Sequence, residues 1–244
     1  MKALLSLLLL VAAPLSAAPL TVLAYETEPF FYRQEGKPAG LEHDILAYYA
    51  RATGRELEIR WVDEFEDLLP MLRRGEGEVA VGTITITPER DRQVDFSSPY
   101  FPVRVVLVEP RSQQTADLRS LAGATLATMR GTTYERLLRQ VPDARLVYGG
   151  SEKELFDMVA SGRAAALAAD SAVALTLLPR YAGLRLGIPL SEEQGLGFAV
   201  REGSPLAAAL SRHITQLKAS KIYFRLLEEH LGAEAVKVVA AARD

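Results

Sequence analysis

The segment Gly82-Thr83-Ile84-Thr85-Ile86-Thr87-Pro88-Glu89-Arg90 crowds hydroxyl groups and one guanidinium into a short stretch. It reads as a strand running out into threonines, followed by a short helical turn. Thr87 suits the cap of that turn, and Pro88 suits its first position, where a missing N–H costs nothing. Thr hydroxyls, free backbone N–H groups and Arg90 then surround a small volume. A carboxylate fits there, because Arg presents a planar fork that matches both oxygens. The competing reading pairs Arg90 with Asp91 or Asp95 on the surface.

The surrounding sequence must position these groups, and its elements alternate. Thr21 to Ala24 reads as a strand, and Leu41, Ile45, Tyr48, Tyr49 and Ala52 fall at helical spacing up to Gly54. Leu57, Ile59 and Trp61 alternate as in a strand; Phe65, Leu68, Leu69 and Leu72 return to helical spacing. Val79 to Gly82 is a short buried strand. A second unit repeats this grammar from about Glu109. It has strands at 125–129, 146–148 and 164–169, helices at 133–140 and 152–160, and Asp170 at the end of its last strand. Gly195 to Val200 reads as one strand, a helix runs from Ser204-Pro205 to about Ala219, and a last helix ends near Gly232. The order argues for parallel, helix-covered sheets.

The signature 82–90, with Val94-Asp95-Phe96-Ser97-Ser98-Pro99-Tyr100 after it, resembles that of the bacterial extracellular solute-binding proteins of family three, the polar-amino-acid family. Gly40-Leu41-Glu42-His43-Asp44, Arg130-Gly131-Thr132-Thr133, Asp170 and Gly197-Phe198-Ala199-Val200-Arg201 also match it. The resemblance implies a two-lobed type II periplasmic-binding-protein fold, α/β throughout. Each lobe would be a helix-flanked, mostly parallel sheet, and two hinge strands would join them. Lobe one would hold residues 19–108 and 196–244, lobe two 109–195, with crossings at 103–108 and 195–200.

The same resemblance implies a ligand site for an amino-acid zwitterion. Arg90 would grip the α-carboxylate with help from Thr133, while Asp170, Thr85 and the backbone at Thr83 would hold the α-ammonium. Phe65 and Tyr25 would wall the side-chain pocket. Glu26 could select a cationic or amide side chain and Arg130 an acidic one, and these two suggestions stand open against each other. Asp170 could instead cap the helix beginning at Ser171, and Thr133 its own helix. Tyr25 and Phe30 could be ordinary core, and Asp44 is expected to cap or tune the first helix.

Met1-Lys2, the apolar run 3–15 and the small residues Ser16, Ala17 and Ala18 describe a signal peptide over residues 1–18. Cysteine is absent, so no lipid-anchored Cys and no disulfide framework are expected. The formal net charge is −3 with no basic block, which argues against nucleic-acid binding. The histidines, His43, His213 and His230, show no metal-ligand spacing and read as surface residues. No catalytic motif, metal site or cofactor is expected. The expectation is a monomeric periplasmic protein that captures a small polar L-amino acid and delivers it to the permease of an ABC transporter. The alternatives are a cyclohexadienyl (prephenate or arogenate) dehydratase on the same fold, with Glu26 or Asp170 as proton donor, and a soluble amino-acid sensor.

Overall fold

The computed structural model describes residues 17–241, without the side chains of residues 237, 238, 240 and 241. The proposed signal segment therefore lies almost wholly outside the described residues. The chain opens with β1 (Leu20–Tyr25), whose residues are nearly all buried, then a small hairpin of β2 (Tyr32–Gln34) and β3 (Lys37–Ala39). Helix α1 (Leu41–Ala52) follows, burying Leu41, Ile45, Leu46 and Tyr49 along one face, as their spacing requires. Strand β4 (Leu57–Val62) alternates half-buried Leu57, Ile59 and Trp61 with exposed Glu58 and Arg60, the pattern of a strand at a sheet edge. Phe65–Asp67 forms a single 3-10 turn that leads into α2 (Leu68–Arg73). Then come β5 (Val79–Val81), the short α3 (Pro88–Asp91), β6 (Asp95–Phe96) and β7 (Phe101–Val103).

The second unit runs through β8 (Val105–Pro110), β9 (Thr125–Thr128), α4 (Thr133–Leu138), β10 (Arg145–Tyr148), α5 (Glu152–Ala160), β11 (Ala166–Asp170), α6 (Ser171–Leu177) and β12 (Leu184–Pro189). The chain returns through β13 (Gln194–Leu196) and β14 (Ala199–Val200) and closes with α7 (Pro205–Lys218), α8 (Lys221–Leu231) and α9 (Ala233–Ala241).

Two five-stranded sheets organise these elements, in the orders β4-β1-β5-β14-β6 and β10-β9-β11-β8-β12. Strands β4, β1 and β5 are mutually parallel, as are β10, β9 and β11. The central β5 and β11 are fully buried, the signature of parallel strands covered on both faces. Together the sheets and their helices make a mixed α/β molecule of two lobes.

The sequence reading differs from this arrangement at three places. Residues 105–108, read there as the end of lobe one and as part of the first crossing, belong to β8 and pair antiparallel with β11 and β12 in the second sheet. The stretch 195–200 is two strands: β13 pairs with β7, while β14 pairs with β5 and β6. Gly197 separates them where a Cβ would come within 2.8 Å of the Ile86 side chain, so the apolar run looked continuous but changes partner. After Gly232 the chain forms α9, a further helix.

Candidate functional site

Loops leaving the carboxyl ends of parallel strands converge between the lobes, where ligands bind in open α/β sheets. From lobe one, β1 ends at Tyr25, β4 leads to Phe65, and β5 leads to the loop 82–87 and α3. From lobe two, β9 leads to Met129–Thr133, β10 to Glu152, and β11 to Asp170.

The loop after β5 is held by a buried strut. Gly82 N–H and Thr83 N–H donate to the Glu42 carboxylate at 3.1 and 3.3 Å, and the Tyr100 hydroxyl donates to it at 2.7 Å. Burial pushes Glu42 up to about 7, against the pull of these donors. The bend places Thr83 at φ 54, in the left-handed region, which is uncommon for a β-branched residue and points to a functional constraint. Thr87 caps α3 by accepting from the Arg90 N–H at 3.3 Å, and Pro88 takes its first position, as the sequence suggested.

Arg90 is buried, which removes the surface-pairing alternative. Its Nη1 donates to the Thr85 carbonyl at 2.9 Å and its Nη2 to the Gly131 carbonyl of lobe two at 3.1 Å. Its guanidinium carbon lies 5.3 Å from the Phe65 ring centroid. Among the described residues it forms no ion pair; burial lowers its pKa to about 10, so it is charged at neutral pH. Gly131 permits this approach, because at φ 70 a Cβ there would stand 2.7 Å from the Glu66 Cβ across the cleft.

Asp170 occupies the N-cap position of α6 but makes no side-chain cap bond. It is 1% exposed, and among the described residues neither carboxylate oxygen has a hydrogen-bond partner of normal geometry. The Tyr134 phenol lies close enough to stabilise the charge, and Arg90 attracts it, yet burial dominates and pushes Asp170 up to about 7. The site thus holds a buried guanidinium from one lobe and a buried carboxylate from the other, within electrostatic reach but unjoined.

Phe65, Thr83, Thr85 and Arg90 of lobe one enclose a cavity of about 10 Å³ with Met129, Thr132, Thr133, Tyr134 and Glu152 of lobe two. That is room for about one water. Two larger clefts adjoin it. One of about 210 Å³ is lined by Tyr25, Glu64, Phe65, Met129, Arg130, Tyr148, Gly149 and Gly150. The other, about 600 Å³, opens outward past Arg90, Glu89, Thr133 and Arg136.

The other expected residues separate into two groups. Thr83, Thr85, Thr133 and Phe65 meet at the cavity, although Thr132, not Thr133, caps α4 by accepting from Glu135 N–H at 3.2 Å. Tyr25 combines core packing with a bridge between lobes. Its ring meets Phe65 edge-on at 5.5 Å, and its hydroxyl donates to the Gly150 carbonyl at 2.7 Å. Phe30 is core. Arg130 is exposed and stacks on Tyr148 at 4.0 Å, at the wall of the 210 Å³ cleft. Glu26 does not line that cleft: half-exposed, it accepts from Arg33 Nη1 at 2.6 Å and from Arg33 N–H at 2.8 Å.

The histidines are not simple surface groups. Asp44 accepts from His43 Nδ1 at 2.9 Å and from His230 Nε2 at 2.8 Å, tying α1 to α8, and this holds its carboxyl well below the usual range. His213 packs edge-on against Tyr49 at 5.5 Å. Asp44, in the first turn of α1, is thus a tie to α8 as well as a group placed to tune that helix, and it makes no cap bond among the described residues. Glu152, Tyr134 and Met129 were missed as lining residues. The one available signal for Glu152 was Ser151, a cap placing the following residue at a helix start after a strand.

Among curated proteins, a membrane-bound lytic murein transglycosylase F from Desulfosudis oleivorans is 29% identical over 222 residues, 88% of this chain and 49% of that protein. An L-glutamate/L-aspartate-binding protein from Pseudomonas aeruginosa is 30% identical over 158 residues, 59% of this chain and 52% of that protein. The chain thus spans about half the length of these curated relatives. Among solved structures, an ancestral arginine-binding protein bound to arginine superposes with a TM-score of 0.81 at 28% identity, covering 89% of this chain and 100% of that one. The model of the bacterial extracellular solute-binding proteins, family 3, matches residues 20–233, and this chain belongs to that family.

Proposed function

We propose that the protein captures a small polar L-amino acid between its lobes and delivers it to the membrane permease of an ABC transporter, acting as a periplasmic monomer. The observation that carries this reading is the unjoined pair Arg90 and Asp170. A zwitterion supplies the two missing partners, its carboxylate for Arg90 and its ammonium for Asp170, with Thr83, Thr85 and Thr133 as added hydrogen-bonding groups. Because each charge sits in a different lobe, both ends are held only when the lobes meet, which couples capture to closure. The lobes pivot where the chain changes sheet, at Arg104 and between Pro189 and Gln194. The cavity of about 10 Å³ cannot admit an amino acid, so entry requires the lobes to part. No helix among the described residues is long and apolar enough to cross a membrane. Isothermal titration of ligand-stripped protein with the twenty L-amino acids tests the reading. Saturable binding that Arg90→Met abolishes supports it; no binding by any amino acid refutes it.

A second reading, a dehydratase, has one observation in its favour. Glu152 and Asp170 are buried carboxyls raised to about 7, suited to donate a proton near neutral pH. Consumption of prephenate or arogenate by the purified protein decides for it.

A further inference from the structure

The amino-acid reading accounts for Arg90 and Asp170 but leaves one buried carboxyl on the cavity wall without a use. Glu152, the first residue of α5, is 5% exposed and lines the cavity with Arg90, Thr83, Thr85 and Thr133. Among the described residues it forms no ion pair. The group favouring its ionisation is its own backbone N–H, while burial and then the charge of Asp170 push its pKa up. A carboxylate removed from water without a counter-charge is expensive, and here it faces a binding cavity.

The neighbouring 210 Å³ cleft extends this acidic side. The Tyr25 phenol within it is pushed above its ordinary range, after burial, by Glu152, Glu64 and Glu154 together. The one cation lining that cleft is Arg130, spread over the Tyr148 ring. Arg130 and Glu64 offset each other at the rim. The inner cavity carries Arg90 and Glu152 on its wall, and the buried Asp170 lies within electrostatic reach of both, two carboxyls to one guanidinium.

We propose that Glu152 is the counter-charge for a cationic side chain, so that the ligand of this site is a basic amino acid. This inference rests on the amino-acid reading above and names its substrate class. The zwitterion occupies Arg90 and Asp170, leaving Glu152 to the side chain. A neutral side chain leaves that buried carboxylate uncompensated, and an acidic one adds a like charge. A guanidinium or ammonium completes the balance. Glu26, the acidic residue that the sequence suggested for this role, is already bonded to Arg33.

The test compares L-arginine with L-citrulline, its near-isosteric neutral counterpart, by isothermal titration on the ligand-stripped chain, with L-lysine, L-glutamine and L-glutamate alongside. Arginine or lysine is expected to bind at least about tenfold more tightly than citrulline or glutamine, the scale of a hydrogen bond to a charged group. Glu152→Gln is expected to bring the arginine-to-citrulline ratio close to one. Equal wild-type affinities for arginine and citrulline, or preference for glutamate, overturn the inference and leave the amino-acid reading standing. An undiminished arginine preference in Glu152→Gln also overturns it. Failure of every amino acid to bind overturns both. Should Glu152→Gln not fold, the wild-type ratio alone decides.

Discussion

Replacing Asp170 with Asn is expected to make the ligand-free protein more stable while destroying its binding. In the folded protein the carboxyl is fully buried, and burial outweighs the nearby Tyr134 phenol and Arg90, so its pKa rises from 3.8 to about 7. At 1.36 kcal/mol per unit, keeping it ionised costs the fold about 4 kcal/mol above pH 7. The sign follows from proton uptake. Between pH 4 and 7 the unfolded carboxyl is ionised while the folded one holds its proton, so stability falls as pH rises through that window and levels off above it. Asn removes this cost but also removes the negative charge facing Arg90, whose own burial then weighs more. We expect a net gain of about 1–3 kcal/mol at pH 8, or roughly 2–10 °C in Tm for a chain of this size, shrinking toward zero at pH 4. Thermal unfolding of ligand-stripped wild type and Asp170→Asn at pH 4, 6 and 8 measures it, with titration of the preferred ligand in parallel. A variant less stable than wild type at pH 8, or one that binds unchanged, refutes the claim that Asp170 is held uncompensated for a ligand.

Arg90→Met retains the apolar contact with Phe65 but removes the carboxylate fork, and is expected to weaken binding at least about 100-fold, read by titration, with circular dichroism unchanged. Tyr25→Phe removes the hydroxyl bond to Gly150 across the cleft. It should destabilise only the closed form, by about 1 kcal/mol, seen as a roughly fivefold weaker Kd. Gly131→Ala places a Cβ against Glu66 at a strained φ; X-ray scattering should show a larger radius of gyration with ligand present than for wild type. His230→Ala removes one of the two donors to Asp44 and is expected to lower stability by about 1 kcal/mol, measured by urea unfolding at pH 7.

The alternating elements were legible because each obeys a local rule. β1, α1, β4 and α5 fall where period-2 and period-3.6 apolar spacing put them, and Thr87-Pro88 marks α3 through cap chemistry that needs no tertiary context. Arg90 and Asp170 could be named as partners of one ligand only through the family signature, since nothing local joins residues 80 positions apart. What stayed hidden depends on three-dimensional charge balance. Glu26 and Glu152 are the same residue type, each beside a helix or loop start, yet one meets Arg33 in solvent and the other is buried at a cavity where, among the described residues, it forms no ion pair. The histidines misled for the same reason: His230 sits among charged neighbours in sequence, but α8 turns it inward onto Asp44.

The two-lobe division gives these charges a mechanical meaning. If Arg90 and Asp170 lay on one lobe they would pair directly, and a ligand would have to break that pair before binding. Held on separate lobes, with the Arg90 guanidinium donating, among the described residues, to the Thr85 and Gly131 carbonyls, they offer a ligand two partners without such competition. The Gly131 bond forms only when the lobes meet, as do the Tyr25 bond to Gly150 and the exposed ion pairs Arg136–Glu89 and Arg180–Glu28, and exposed pairs contribute little, so ligand-free closure is rewarded weakly. A zwitterion adds charge-assisted bonds to both lobes at once. Shifting a two-state equilibrium from mostly open to mostly closed takes about 5.5 kcal/mol of differential affinity. Two charge-assisted bonds at about 1.5–3 kcal/mol each reach that scale only together, so a ligand with one charged end should bind without closing the lobes.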